Sequence, residues 1–463
     1  MAKSDNPARA QAAANTRKLI AWAVEAVGKP LPEPVRRRAA IILSDDIGAM
    51  VAGSLETPVA RARDGLLRSS SGKVEATVLA KGAPRADRYA AAAANGMAIT
   101  WCELDEGFRN ASCHGGAYTI PALLAEAEAQ GHSVEEVLRA LAVAYEVTTR
   151  FALAFPFPVF NVHPHAAFAT IGGAAAASLV RRQDANTMLS AVTGGASMSF
   201  AGPFDTAVEG ALIRNAWTSA GAWIGLRAAD WAEGGSGGND VTPYDVFVGA
   251  YNTRAIPEAL VEGLGSVWSV TNGYHKVFAC CGYAHAAIEA TLELLGRMQR
   301  KKKDDIAEIV VEAAPGGQAL RTVEPETVLA AKFSIPHAIA ATVQLGTAGA
   351  RAFTDDKLHD EGIAKLRKRV RLQPYPNVKP WPNDRPARVT MRFDDGAEMS
   401  AIVESARGGA DKPFDEPTLL SKLAENAGSV FPAVPGALTD IIRGDKTLLS
   451  KGWREVVAHM VKS

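Results

Sequence analysis

Cysteine is scarce: four residues in 463, with no Cys-x-x-Cys pair. That excludes a disulfide framework, and it excludes the spaced thiolates of a structural zinc site or an iron–sulfur cluster. An excess of one charge is missing too, since 50 Lys and Arg balance 50 Asp and Glu. A neutral chain has no broad footprint for nucleic acid or an anionic membrane, so attraction for a charged ligand must be local. Long apolar runs are also lacking. The longest weakly polar stretch, Ala166 to Val180, stops at Arg181-Arg182 and falls short of the ~20 residues a membrane helix needs. The first thirty or so residues hold no apolar core ahead of a small-residue cleavage site, so no signal peptide is read. The expectation is a cytoplasmic protein with reduced thiols and no membrane or nucleic-acid partner.

Several motifs are absent as well. "GGSGGND" (Gly234 to Asp240) is neither a phosphate-binding loop nor a dinucleotide fingerprint; it reads as a flexible loop. No Ser-based nucleophile elbow is present. His163 and His165 in "HPH" stand close enough to chelate, but no third ligand sits at helical spacing nearby, so no metal is expected. Cys102 and Cys280, in apolar surroundings, read as packing.

What remains is a long, Ala/Gly-rich, mostly helical chain. "VRRRAAIILSDDIGAMVAG" from Val35 sets Ile41, Ile42, Ile47 and Val51 on a helical stripe. Ser133 and Glu136 form a capping box before a helix that buries Val137, Leu138, Leu141, Tyr145 and Phe151. "ATIGGAAAASLVRR" is a helix whose small residues allow close approach of neighbours. After about residue 270 the texture changes. "IAEIVVEAA" (306–314) has strand length, and "ARVTMRFDDGAEMSAIVES" (387–405) is a hairpin with Asp394-Asp395-Gly396 at its turn. "QPYPNVKPWPNDRP" before it is a proline-rich loop of the kind that borders domains. The last 50 residues return to helix. The expected fold is mainly α: a large all-helical domain (1–270 plus 410–463) with an inserted smaller α+β lid domain (271–409), the C-terminal helices rejoining the first.

Within this apolar chain lie short polar islands. There are only nine histidines. His114 stands in "SCHGG" and His163 and His165 in "NVHPHAAF", where Gly and Pro place them at helix starts or in loops. A helix N-terminus favours the neutral imidazole, a form suited to acid–base work. Cations are similarly placed: Arg109 in "CELDEGFRNASCHGG", Arg214 after "VEGALI", Lys276 in "NGYHKVFACC", and Lys332 with His337 in "AAKFSIPHAIA". A cation among apolar neighbours pairs with a buried acid or a bound carboxylate.

Taken in order, these islands resemble the MmgE/PrpD family over nearly the whole chain. "CHGGAYTIPALLAEAEAQG" is similar to its H-P-x-x-x-x-x-P-A segment, and "VHPHAAFATIGGAAAAS" to W-H-P-T-x-x-F-G. "VEGALIRNAW" resembles E-G-x-x-x-K-R, "HKVFACCGYAH" resembles K-P-Y-x-C-C-R-Y-x-H, and "AKFSIPHAIAA" resembles x-K-F-S-I-P-Y. "VEATVLAKGAPRADRYAAAAANGMAITWCELDEG" looks like the segment that leads into the family's acidic loop. The family includes 2-methylcitrate dehydratase, cis-aconitate decarboxylase and iminodisuccinate epimerase.

The resemblance implies a lid closing over an active site, a homodimer, no metal or organic cofactor, and a small polycarboxylate substrate. Carried over by position, the site takes Asp105, His114, His163, Arg214, Lys276, Cys281 and His337. The chain departs from the family at several of these. Glu103, Asp105 and Glu106 replace the commoner D-F-D-D-T-H loop. Arg214 stands where the dehydratase and decarboxylase pattern has Lys, and His337 where Tyr is frequent. Cys281 stands where the decarboxylase has His. The implied chemistry is removal of a proton beside a carboxylate, with cations facing the developing charge. His163 is then expected as the base, with Asp105 or His114 orienting it or serving as conjugate acid. Arg109, Arg214 and Lys276 would hold carboxylates, with His165 and Cys281 in the binding wall, and Tyr145 or His337 would supply a proton. A hydro-lyase of the 2-methylcitrate dehydratase kind is the expected activity. The alternatives are epimerisation, decarboxylation or, in another class, a non-catalytic helical scaffold.

Overall fold

The structure, a computed structural model, describes residues 6–159, 161–298 and 301–462. The fold is mainly α. At its centre lies the Pro164–Val180 helix, buried along its whole length, with Pro164 in its first turn and His163 as N-cap. It packs against the Gly115–Gln130, Val134–Ala154, Ala185–Ser197 and Ala216–Glu233 helices. Small residues make that packing possible. A Cβ on Gly225 would lie 2.4 Å from the carbonyl carbon of Gly173, and one on Gly221 would lie 2.4 Å from the Ala169 Cβ. Backbone therefore meets backbone, and any larger side chain would force the helices apart. Local signals agree with this arrangement. Both halves of the Ser133–Glu136 capping box form, and Gly131 ends the Gly115–Gln130 helix in the left-handed conformation at φ 80°.

The second part of the chain carries a four-stranded sheet in the order Val370–Pro374, Ile306–Ala313, Ala387–Phe393, Glu398–Val403. The first pair is parallel and the others are antiparallel. In the hairpin, Ala387, Val389, Met391 and Phe393 are buried, alternating with Arg388, Thr390 and Arg392, and Gly396 turns it at φ 81°. The His285–Arg297 helix packs on the hairpin and on the Ile335–Leu345 helix. The chain then returns to the helical body. The Glu416–Ala427 and Val434–Arg443 helices pack on the Glu33–Ser54 helix, and Trp453–Met460 packs on Gly115–Gln130.

Two findings differ from the sequence reading. The 234–240 stretch is not a free loop. Cβ atoms on Gly237 and Gly238 would come within 2.5 Å of Ser190 and of the Thr193–Gly194 backbone, so those glycines serve close packing against the Ala185–Ser197 helix. The 1–270 region is not wholly helical either. Two-residue strands pair Ala76–Thr77 with Arg85–Ala86, and Gly107–Phe108 with Gly273–Tyr274. No helix among the described residues is long and apolar enough to cross a membrane.

Candidate active site

Two helix starts and one short strand pair build the site. His114 is the N-cap residue of the Gly115–Gln130 helix and His163 that of Pro164–Val180. These two helices pack side by side, which brings their first residues together. The His165 ring lies between the two imidazoles, with ring centres 4.9 Å from His114 and 4.5 Å from His163. The strand pair Gly107–Phe108 with Gly273–Tyr274 ties the acidic loop to the segment that carries Lys276. A Cβ on Gly107 would strike the Tyr274 ring at 2.5 Å, so this pairing requires glycine.

Between these elements lies a cleft of about 70 Å³. Its polar lining includes Glu103, His114, His163, Arg214, Lys276 and Arg385; Cys281, Tyr274, Phe204 and Phe333 add thiol and rings. Arg214 pairs with Glu103 at 2.5 Å. Lys276 lies 3.3 Å from Asp105 and 3.8 Å from Glu103. Burial alone would raise the Asp105 carboxyl, but Lys276 and His114 outweigh it and hold the group well below the usual carboxylate range. Burial likewise opposes the Lys276 charge, and Asp105 and Glu103 overcome it, so the ammonium is stabilised.

The imidazoles carry opposite tautomers. His114 Nδ1 is 2.6 Å from Asp105 Oδ2 and 2.8 Å from the Glu106 carbonyl. Both partners are acceptors, so Nδ1 carries the proton, and in the neutral ring Nε2 is left with a lone pair. His163 Nδ1 instead accepts from the His165 backbone N–H at 3.1 Å, so its neutral form carries the proton on Nε2. Burial, with Arg214 and His114 nearby, pushes the His163 pKa well below its ordinary value and keeps the ring neutral. Its ring stacks on Phe204 at 5.5 Å. Asp105 therefore orients His114 and not His163, a reversal of the expected arrangement.

Beneath the cleft lies a second acidic layer. Glu106 accepts from Gly116 N–H at 2.6 Å and from Tyr145 Oη at 3.0 Å, and its own N–H donates to Asp46 at 2.9 Å. Asp46 Oδ2 has no hydrogen-bond partner among the described residues. Burial raises both acids, with Glu106 and Asp105 adding to it at Asp46, and Asp105 and Asp45 adding to it at Glu106, which reaches about 8. Alongside, Asp45 takes His275 Nδ1 at 2.7 Å and Lys422 at 2.5 Å, and Lys422 also donates to the Leu104 carbonyl at 2.7 Å.

The residues read from sequence thus fall into three groups. His114, His163, Arg214, Lys276 and Cys281 line the cleft, with Asp105 and His165 directly behind them. Burial raises the Cys281 thiol, which stays protonated. Tyr145 lies beneath, spent on Glu106. Arg109 and His337 are elsewhere. Arg109 pairs with Asp384 beside an adjoining smaller cleft. His337 uses both ring nitrogens, on the Ala352 carbonyl at 3.0 Å and Arg367 at 3.1 Å, while its neighbour Phe333 faces the cleft. Lys332 donates to the Trp101 carbonyl at 2.8 Å. Sequence reading missed Asp45, Asp46 and Arg385. The acid pair had a signal, "SDD" inside an otherwise apolar helical stripe; Arg385 had none, being one more charge in a proline-rich loop. Among the described residues, no three His, Cys, Asp or Glu side chains gather in an arrangement that would hold a metal ion. A larger open hollow of about 800 Å³ lies elsewhere, but Arg88 and Arg181 there are matched by Glu75, Glu126 and Asp230.

Fold and site together define a helical protein with a sheet-bearing second part and a cleft that holds two imidazoles among buried ion pairs. The chain belongs to the MmgE/PrpD family: residues 17–252 match the MmgE/PrpD N-terminal domain and residues 278–443 the MmgE/PrpD C-terminal domain. It is similar to a cis-aconitate decarboxylase of Aspergillus terreus, 25% identical over 452 residues that cover 90% of this chain and 89% of the relative. A cis-aconitate decarboxylase-like protein, oryM, of Aspergillus oryzae (strain ATCC 42149 / RIB 40) is 25% identical over 453 residues, covering 90% and 91%.

Proposed function

We propose that the chain is a cofactor-independent lyase that moves a proton beside a carboxylate of a small di- or tricarboxylic acid, most simply as a hydro-lyase of the 2-methylcitrate dehydratase kind. The observation that carries this is the pair of opposed ring hydrogen bonds: His114 Nδ1 donates to Asp105 and the Glu106 carbonyl, which frees Nε2, while His163 Nδ1 accepts a backbone N–H, which leaves an N–H on Nε2, both rings lining one cleft. His114 takes the C–H proton, and Asp105 stabilises the imidazolium that forms. The electron pair left on carbon delocalises into the adjacent carboxylate, where Lys276 offsets the charge. His163 donates a hydrogen bond to the departing hydroxyl. Protonated His114 then supplies the proton that turns hydroxide into water, so the ring ends as it began.

A second reading is decarboxylation, favoured by the names of the relatives. There no C–H proton is taken: the C–CO₂ bond breaks, its electron pair stays on carbon, and His114, protonated from solvent beforehand, gives its proton to that carbon. The enzyme works as a homodimer, as the resemblance implies.

Substitutions separate the two histidines. His114→Ala and His114→Gln should each lower kcat by about 10²–10⁴-fold, with the circular dichroism spectrum unchanged. His163→Gln, whose amide can still donate, should retain clearly more activity than His163→Ala. An active His114→Gln, or equal losses for the two His163 variants, would contradict the assignment.

A further inference from the structure

We propose that Arg385 binds the substrate carboxylate remote from the reacting carbon, and that this contact selects acids with at least two carboxylates. The inference rests on the carboxylate-lyase reading above and adds the residue that sets its substrate class.

The cations deepest in the cleft are already matched: Arg214 by Glu103, and Lys276 by Asp105 and Glu103. A substrate carboxylate arriving there competes with groups that hold these cations at 2.5 to 3.8 Å. Arg385 differs. Its one acidic neighbour, Asp384, is 3.5 Å from Nε, and Asp384 is more closely engaged by Arg109. Of the three cations that line the main cleft, Arg385 therefore has the longest approach to its nearest carboxylate. No hydrogen bond to Nε is made among the described residues although that atom is buried, as is also true of Arg214 and Arg109. Arg385 keeps part of its side chain open, 16% exposed, so its fork can take an anion.

Position agrees with charge. Arg385 lines both the main cleft and the smaller one beside it, so it stands where the two join. Its guanidinium lies over the Tyr283 ring at 4.3 Å, which fixes the plane of the fork and leaves its edge for a bidentate acceptor. Gly282 leaves the space open: a Cβ there would stand 3.3 Å from Arg385 Nη1 and 3.6 Å from Tyr274 Oη. The side chain comes from the sheet-bearing part of the chain, opposite the histidines of the helical body. A ligand that touches both must carry an anionic group at each end.

The test is binding, which needs no turnover. Calorimetry is run with tricarballylate, succinate and butyrate on wild type, Arg385→Gln, Arg385→Lys and Arg388→Gln. Arg388 is a stacked arginine of the same sheet, placed over Tyr375 and paired with Glu312 outside the cleft. Wild type should bind the two polycarboxylates at least tenfold more tightly than butyrate. Arg385→Gln should lose that preference by weakening polycarboxylates while leaving butyrate as it was. Arg385→Lys should keep part of it, and Arg388→Gln all of it. An unchanged preference in Arg385→Gln, or equal weakening of all three acids, overturns the assignment. So does a wild type that shows no preference or binds none of the acids. Failure of the enzymatic reading shows separately, as an absence of C–H exchange on any acid.

Discussion

Gly116 sets the acidic layer under the cleft, because a Cβ there would lie 2.1 Å from Asp46 Oδ2 and 3.0 Å from Glu106 Oε1. Two carboxyls crowd one glycine, and burial pushes both upward, helped by Glu106 and Asp105 at Asp46 and by Asp105 and Asp45 at Glu106. The folded protein therefore keeps a proton that the unfolded chain releases. The sign follows: with more protons bound when folded, stability falls as pH rises from about 4.5, the ordinary carboxyl value, to about 8. One such proton is worth about 1.4 kcal/mol per pH unit. Glu106→Gln replaces this acid by a neutral amide. It should flatten the fall of the melting temperature across that window and leave stability near pH 4.5 little changed; an unaltered slope would contradict the raised Glu106 carboxyl. At this scale the sequence was informative only where a polar residue stood among apolar ones. His114, His163, Arg214 and Lys276 were legible for that reason. Which nitrogen of each imidazole bears the proton depends on a carboxylate nine residues away and on a backbone N–H. Residue type carries neither.

Among the elements, the Glu416–Ala427 helix ties the end of the chain to its beginning. Its Lys422 crosses to Asp45 of the Glu33–Ser54 helix and to the carbonyl of Leu104, next to Asp105. Removing this ammonium leaves the buried Asp45 with His275 alone. Lys422→Met should cost about 3–5 kcal/mol, the usual loss when one partner of a buried pair is deleted, read by urea unfolding. Adding Asp45→Asn to that variant should recover part of the loss, and no recovery would show that the lysine acts by packing alone. Periodicity made the large elements legible. The hairpin of 387–403 alternates with period 2, and the buried helices follow apolar stripes with caps. The pairing of Gly107–Phe108 with Gly273–Tyr274 was not legible, because two residues have no period, yet it brings Lys276 to Asp105. The proline-rich run before the hairpin reads as a border, and in the structure it delivers Arg385 to the cleft.

For the whole molecule, the helical body supplies the imidazoles and the acidic loop, and the second part supplies Lys276, Cys281 and Arg385. A site split in this way forms only when both parts fold together, so the polar islands of the sequence are far apart in the chain and close in space. The central claim is proton chemistry beside a carboxylate, with His114 as the base. The most direct measurement is proton NMR of the enzyme with a panel of di- and tricarboxylates in D₂O. The account predicts that at least one acid loses water or takes up deuterium at the carbon beside a carboxylate, and that His114→Ala abolishes this signal while remaining folded. No exchange and no conversion of any acid by the wild-type protein, or undiminished exchange by His114→Ala, would contradict it.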